Sequence, residues 1–134
     1  MVYNGIIMGD IMNSFDQVST FLQACGQTVD EQNSKQSDLY MRLIEEEYNE
    51  LLDANRDQDS VEELDACCDL IWVTIGYALS RGWDISGAFN EVARSNMSKV
   101  DSATGKVLKR EDGKILKPAT FSEPQLKSFL NNNV

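Results

Sequence analysis

Arg42-Leu43-Ile44-Glu45-Glu46-Glu47-Tyr48-Asn49-Glu50-Leu51-Leu52, read together with Glu62-Glu63-Leu64-Asp65-Ala66-Cys67-Cys68-Asp69, decides the fold. Both stretches carry carboxylates at helical spacing inside apolar runs. At about 100° per residue, Glu46, Glu50 and Glu47 fall near 0°, 40° and 100°, so one side of a helix presents all three. In the second stretch Glu62, Asp65 and Asp69 span roughly 60° of arc. Unpaired carboxylates are costly to bury, and no matching set of basic residues lies nearby in sequence. Like charges three and four residues apart also repel. Two such stripes fit either a hard divalent cation or a solvated face.

Working outward, the second stretch opens a helix with a clear start. Ser60 with Glu63 three residues on fits a capping box, and the helix is expected to run to about Ser80 with Gly82 as its stop. Leu64, Leu70, Ile71, Trp72, Val73 and Ile75 point in nearly every direction, which predicts a central helix with Asp65 and Asp69 near the core. Cys67, Cys68 and Cys25 read as reduced small hydrophobes, and Trp72 and Trp83 as core rather than base-stacking platforms. The preceding helix is expected from Ser37 or Asp38 to about Asn55, with a loop at 56–59 and another at 27–36. Ile11, Phe15, Val18, Leu22 and Cys25 predict a first helix from about Asp10 to Cys25, stopped by Gly26. A fourth runs from Asp84 or Ser86 to Lys99. Ile85, Phe89 and Val92 form its apolar face, and Asn96 and Lys99 continue that face as groups delivered into a cleft.

After Val100 the pattern changes. Thr104-Gly105 and Asp112-Gly113 are turn signals around a basic segment, the mark of a short hairpin or arm. Residues 121–130 are expected to form a short final helix, and residues 131–134 to fray. The expected architecture is one all-α domain over residues 1–134: a bundle of four to five helices with a basic C-terminal arm over about 101–126.

Composition narrows the chemistry. The 134 residues contain no histidine. That excludes Ser-His and Cys-His nucleophilic catalysis, ordinary zinc hydrolase sites and the Glu-x-x-His pairs of di-iron bundles. A metal site here has oxygen ligands, suiting Mg2+, Mn2+ or Ca2+. Residues 1–93 hold 18 acidic and 4 basic residues, whereas residues 94–134 hold 4 acidic and 8 basic, within a net charge of −10. This balance argues against nucleic-acid or anionic-membrane binding, while an acidic half beside a basic segment suits a metal-bound polyphosphate. No apolar run approaches a membrane span, and the N-terminus lacks a signal-type core, so a cytoplasmic location is expected.

Four motifs occur in one order: Glu46-Glu47-Tyr48-Asn49-Glu50-Leu51, then Asp65-x-x-x-Asp69-Leu70-Ile71-Trp72-Val73, then Ser95-Asn96-Met97-Ser98-Lys99, then Asp112-Gly113-Lys114-Ile115-Leu116-Lys117-Pro118. Over roughly residues 37–126 the chain resembles the all-α nucleoside triphosphate pyrophosphohydrolases, and within them the MazG-like and dimeric-dUTPase-like branch. The resemblance implies an Mg2+ enzyme, with Mn2+ as a substitute, that cleaves between the α and β phosphates to give a nucleoside monophosphate and pyrophosphate. It implies metal ligation by Glu46, Glu47, Glu50 and Asp69. Ala66 stands where the family pattern has Glu, and Asp65, one turn before Asp69, is the candidate replacement. Glu62-x-x-Asp65 matches that pattern literally but lacks the apolar run that follows Asp69. Glu46 or Glu47 is the candidate general base, since no histidine is present. Asn96, Lys99, Arg110, Lys114 and Lys117 match the substrate side, and the expected assembly is a homo-oligomer, dimer or tetramer. Two other readings stand beside this one: a non-catalytic nucleotide- or partner-binding helical oligomer of the same fold, and a plain structural bundle with acidic surfaces.

Overall fold

The computed structural model describes residues 12–131, together with the backbone of residues 2–3 and 6–7. The elements run β1 (Val2–Tyr3), β2 (Ile6–Ile7), α1 (Ser14–Ala24), α2 (Ser34–Arg56), α3 (Ser60–Ser80), α4 (Ile85–Met97), β3 (Val100–Asp101), β4 (Lys106–Val107) and a 3-10 turn at Lys127–Leu130. The protein is all-α with two minimal antiparallel hairpins, β1–β2 and β3–β4. No described helix is long and apolar enough to cross a membrane. Two compact units divide the chain: Met1–Ile85 with Asn131–Val134, and Ser86–Leu130.

The first unit is organised by α2 and α3, which turn back on each other through Asp57-Gln58-Asp59 and pack in antiparallel register. Four cross-links mark that register. Asn55 Nδ2 donates to Glu63 Oε2 at 2.7 Å near the turn. Glu47 faces Asp65 and Asp69. A Cβ added to Gly76 would lie 2.5 Å from the Tyr40 ring. At the far end Gln36 Nε2 donates to Ser80 Oγ at 2.8 Å. Gln36 is buried, and its amide also accepts from Thr28 N and donates to Thr28 O, so no polar atom of that side chain is left unpaired. The core gathers Val18, Leu22, Tyr40, Val73, Ile75 and Leu79, with Phe15, Leu43, Ile44 and Trp72 packed against it.

Helix ends differ from expectation where short polar residues take over the capping. Helix α2 begins at Ser34, three or four residues early, because Asn33 Oδ1 accepts from Gln36 N and caps a first turn that has no apolar periodicity to betray it. Helix α3 is capped by Asp59, which accepts from Glu62 N at 3.2 Å, so Ser60 is its first helical residue and the Ser60–Glu63 capping box is not formed. Helix α1 starts at Ser14 behind an Asn13 cap, and the expected start near Asp10 lies outside the described residues. Gly26 and Gly82 follow α1 and α3 with φ of +73° and +74°, conformations that glycine adopts without strain. Helix α4 stops at Met97, short of Lys99, and the expected final helix is only the 3-10 turn. Fraying of 132–134 likewise concerns residues outside the described set.

A larger correction concerns α3. Its C-terminal half is central, but α1 reaches only that half, through Phe21 against Trp72 and through Val18 and Leu22. The N-terminal half packs on α2, leaving Val61 77% and Leu64 66% exposed, with Cys67, Cys68 and Asp65 also on the surface. The cysteines are therefore free thiols at the surface rather than core packing.

Substituting Gly76→Ala should lower the unfolding free energy by about 1–3 kcal/mol in chemical denaturation, because the methyl group meets the Tyr40 ring. That cost exceeds the about 1 kcal/mol alanine gains over glycine in a helix. Unchanged stability would mean the ring yields freely and does not fix the register.

Candidate functional site

Acidic side chains meet where α2 and α3 face each other. Glu47 occupies an interface position of α2, on the side that carries Tyr40, Leu43, Leu51 and Ala54. It is half-buried, and its Oε2 is buried with no hydrogen-bond partner. Loss of water is the first reason its carboxyl is pushed up from the usual 4.5 to about 7. The others are a shared hydrogen bond with Glu50, then the negative charges of Glu50, Asp69 and Asp65. Asp69, half-buried, is also raised, by loss of water first and then by Asp65 and Glu50. Glu47, Glu50, Asp65 and Asp69 thus act on one another across the two helices.

The remaining expected ligand, Glu46, lies apart from this set. Glu46 is exposed and lines a groove on α2 with Leu39, Arg42, Leu43, Glu45 and Asn49. Glu62 lies with Glu50, Asp53, Asp57 and Asp59 in an acidic depression at the α2–α3 turn, away from the apolar run. Ala66 is buried at 2% exposure, so a carboxylate at that position would sit in the core. Asp65, one residue earlier, is exposed and keeps water access while still acting on Asp69.

An all-carboxylate set with one orphaned buried oxygen matches the chemistry of a hard divalent cation, which takes oxygen ligands and offsets like charges. Among the described residues no three such side chains are already gathered at ligand distance. Glu50, Asp69 and Asp65 each raise the proton affinity of Glu47.

The basic residues expected on the substrate side belong to the second unit, Ser86–Leu130. Asn96 and Lys99 come together at the end of α4, where Lys99 Nζ donates to Asn96 Oδ1 at 3.0 Å. Phe89 is exposed, so the stripe they extend is not a buried one. Lys99 and Lys117 both lie over the ring of Phe121, at 5.8 and 4.8 Å from its centroid. Phe121 carried no signal in the sequence beyond its own apolarity, since its partners are 22 residues before it and 4 residues before it. Arg110 is tied to Asp112 inside the turn that Lys114 N also caps. The Lys114 side chain is exposed, and only its backbone takes part in that turn.

The model of one family, described as phosphoribosyl-ATP pyrophosphohydrolase, matches residues 20–96, more than half of the chain. The match spans α2, α3 and all four interacting carboxylates, and it ends before Lys99 and the basic arm. No curated protein matches the chain significantly. The chain belongs to the phosphoribosyl-ATP pyrophosphohydrolase family, within the all-α MazG-like nucleoside triphosphate pyrophosphohydrolase superfamily.

Proposed function

We propose that this protein is an Mg2+-dependent nucleoside triphosphate pyrophosphohydrolase that converts a (d)NTP to the (d)NMP and pyrophosphate. The observation that carries this reading is Glu47, half-buried with an unpartnered oxygen and facing Asp65 and Asp69 across the α2–α3 pair, in a chain of this family. Glu47, Glu50, Asp65 and Asp69 are the residues that would hold the cation, with Mn2+ a substitute and Glu46 a further ligand from the groove side. When bound, the cation supplies Lewis-acid polarisation of the phosphate oxygens and acidifies water.

The chain's own residues account for the remaining steps. The attacking water bonds through oxygen to a phosphorus of the α–β bridge, and the bond from that phosphorus to the bridging oxygen breaks. The water's proton passes to a carboxylate, since no histidine exists to take it. Glu47 or Glu46 is the candidate for this role. Lys99, Lys114 and Lys117 offset charge on the phosphates, and Asn96 donates to sugar or phosphate. Arg110 is the least available of the group, being held by Asp112.

Two observations support narrower alternatives. The family's description names phosphoribosyl-ATP, which carries the same type of anhydride, so that compound belongs in any substrate panel. The burial of Ala66 where the pattern has Glu supports a non-catalytic nucleotide-binding module as the second reading.

Self-association is part of the proposal. Val61, Leu64 and Ile71 on α3, with Met41, Tyr48 and Leu52 on α2, are exposed and recur at helical spacing. A second copy of the chain, forming a dimer or tetramer, would cover them.

Pyrophosphate release from NTPs, dNTPs and phosphoribosyl-ATP should require Mg2+ or Mn2+ and stop with EDTA. Orthophosphate release would mean that a different bond is cleaved, and binding without release would favour the module. Glu50→Gln should lower turnover by about 100-fold or more, because several kcal/mol of charge stabilisation are lost. Wild-type activity in that variant would remove the metal assignment.

Stability should track the Glu47 proton. Native Glu47 keeps that proton up to about pH 7, whereas an ordinary carboxyl loses it near 4.5. The native state therefore binds more protons across this window, and its contribution to stability is present below the window and lost as pH rises through it. Metal-free melting temperatures should show this fall between about pH 4.5 and 7, and Glu47→Gln should reduce it. Mg2+ should raise the melting temperature more at pH 7.5 than at pH 5, where protons compete for the same oxygens. Equal stabilisation at both pH values would argue against these ligands. Light scattering should find an oligomer that Leu64→Glu converts toward monomer, and a monomeric wild-type chain would end the proposal of self-association.

A further inference from the structure

The chain after α4 is strapped back onto that helix. Ser122 N donates to Ser98 Oγ at 2.9 Å, Gln125 N donates to Glu91 Oε2 at 2.7 Å, and Arg94 Nη2 donates to Glu123 O at 3.1 Å. Arg94 is in turn held by both oxygens of Glu91, at 2.6 and 2.9 Å. Glu91 is thus the anchor of the strap, binding the helix to the returning backbone through one carboxylate. The strap seats Phe121 half-buried, with Lys99 arriving from the end of α4 and Lys117 from the returning segment.

Two ammonium groups brought to one ring repel each other. The chain has 22 acidic residues against 12 basic ones, so carboxylate partners are plentiful. Even so, neither Lys99 nor Lys117 forms an ion pair among the described residues. Lys99 is oriented by the neutral Asn96 amide, and both lysines by the negative face of an uncharged ring. A carboxylate in place of Phe121 would neutralise the lysines and repel an anion. An aromatic ring holds them in position and leaves their charge unspent. Such a pair is complementary to an external polyanion.

We propose that Phe121 is a positioning residue that gathers Lys99 and Lys117 into a clamp for the phosphate chain of the nucleotide. The choice of nucleotide as the source of those phosphates rests on the pyrophosphohydrolase reading, whereas the clamp itself is a statement about polyphosphate binding. All three residues lie beyond the family-matched segment, residues 20–96.

The test uses the full chain and inorganic tripolyphosphate, titrated by calorimetry without nucleotide, alongside steady-state kinetics. Phe121→Leu should weaken tripolyphosphate binding roughly fivefold or more, and Phe121→Trp should restore it. The same Phe121→Leu change should raise KM for the nucleotide by a similar factor with kcat within about twofold. A ring that only packs would alter the melting temperature without moving this affinity, and that result would overturn the proposal. Lys99→Met and Lys117→Met, both at accessible positions, give the second line. Each should weaken binding in the wild type and cost clearly less in the Phe121→Leu background. Equal costs in both backgrounds, or wild-type binding in either lysine variant, would also overturn it. An inactive wild-type chain would remove the hydrolase reading while leaving the tripolyphosphate result to stand for the clamp alone.

Discussion

The register between α2 and α3 is set by a close approach of Gly76 to the Tyr40 ring, and the acidic site depends on it. With glycine at 76, the ring lies against the backbone of α3 and the two helices run close together. The buried Gln36–Ser80 hydrogen bond closes the same register one turn further out. Counting from that end toward the turn, Glu47 then falls opposite Asp65 and Asp69. A slip of one residue along either helix would rotate a carboxylate by about 100° and disperse the group. The apolar core therefore does more than stabilise the helices; it holds like charges together at a spacing they would not choose.

The acidic group has a cost that its surroundings explain. Carboxylates facing one another across a helix pair repel, and burial raises the cost further. The structure accommodates this by leaving Glu50 and Asp65 exposed, by burying Glu47 and Asp69 only in part, and by raising the proton affinity of Glu47. A protein selected for stability alone would place leucine or alanine at Glu47, as it does at Leu43, Leu51 and Ala54 on the same side of α2. Stability forgone at one interface position, in a chain of a pyrophosphohydrolase family, is the pattern expected where chemistry competes with packing.

Much of this was legible in the sequence, and what was not has specific causes. The helical spacing of the two acidic stripes located α2 and α3 because carboxylates inside apolar runs leave a period that propensity cannot hide. The start of α2 differs where Asn33 caps, since a single side-chain oxygen decides the boundary and neighbouring polar residues look like loop, whereas α3 begins at Ser60 as expected with Asp59 as its cap. The central placement of α3 was only half right. An all-round apolar helix needs neighbours on every side, and among the described residues the first turns of α3 leave Val61 and Leu64 exposed. This exposed stretch reads in sequence the same way as a buried one.

The site residues divide along a similar line. Glu47, Glu50, Asp65 and Asp69 meet because helical periodicity and one short turn suffice to bring them together, and both are visible in sequence. Glu46 shares the motif yet faces the Leu39–Arg42 groove, because one residue along a helix is enough to leave an interface. The basic arm was visible as composition but not as geometry. Lys99 and Lys117 are 18 residues apart, with two turns between them, and only the strap through Glu91 and Ser98 brings them to Phe121. Long-range placement by backbone hydrogen bonds leaves no period to read. For that reason the acidic, helix-borne cluster is largely legible from spacing, while the cationic, loop-borne cluster emerges only once the return path of the chain is known.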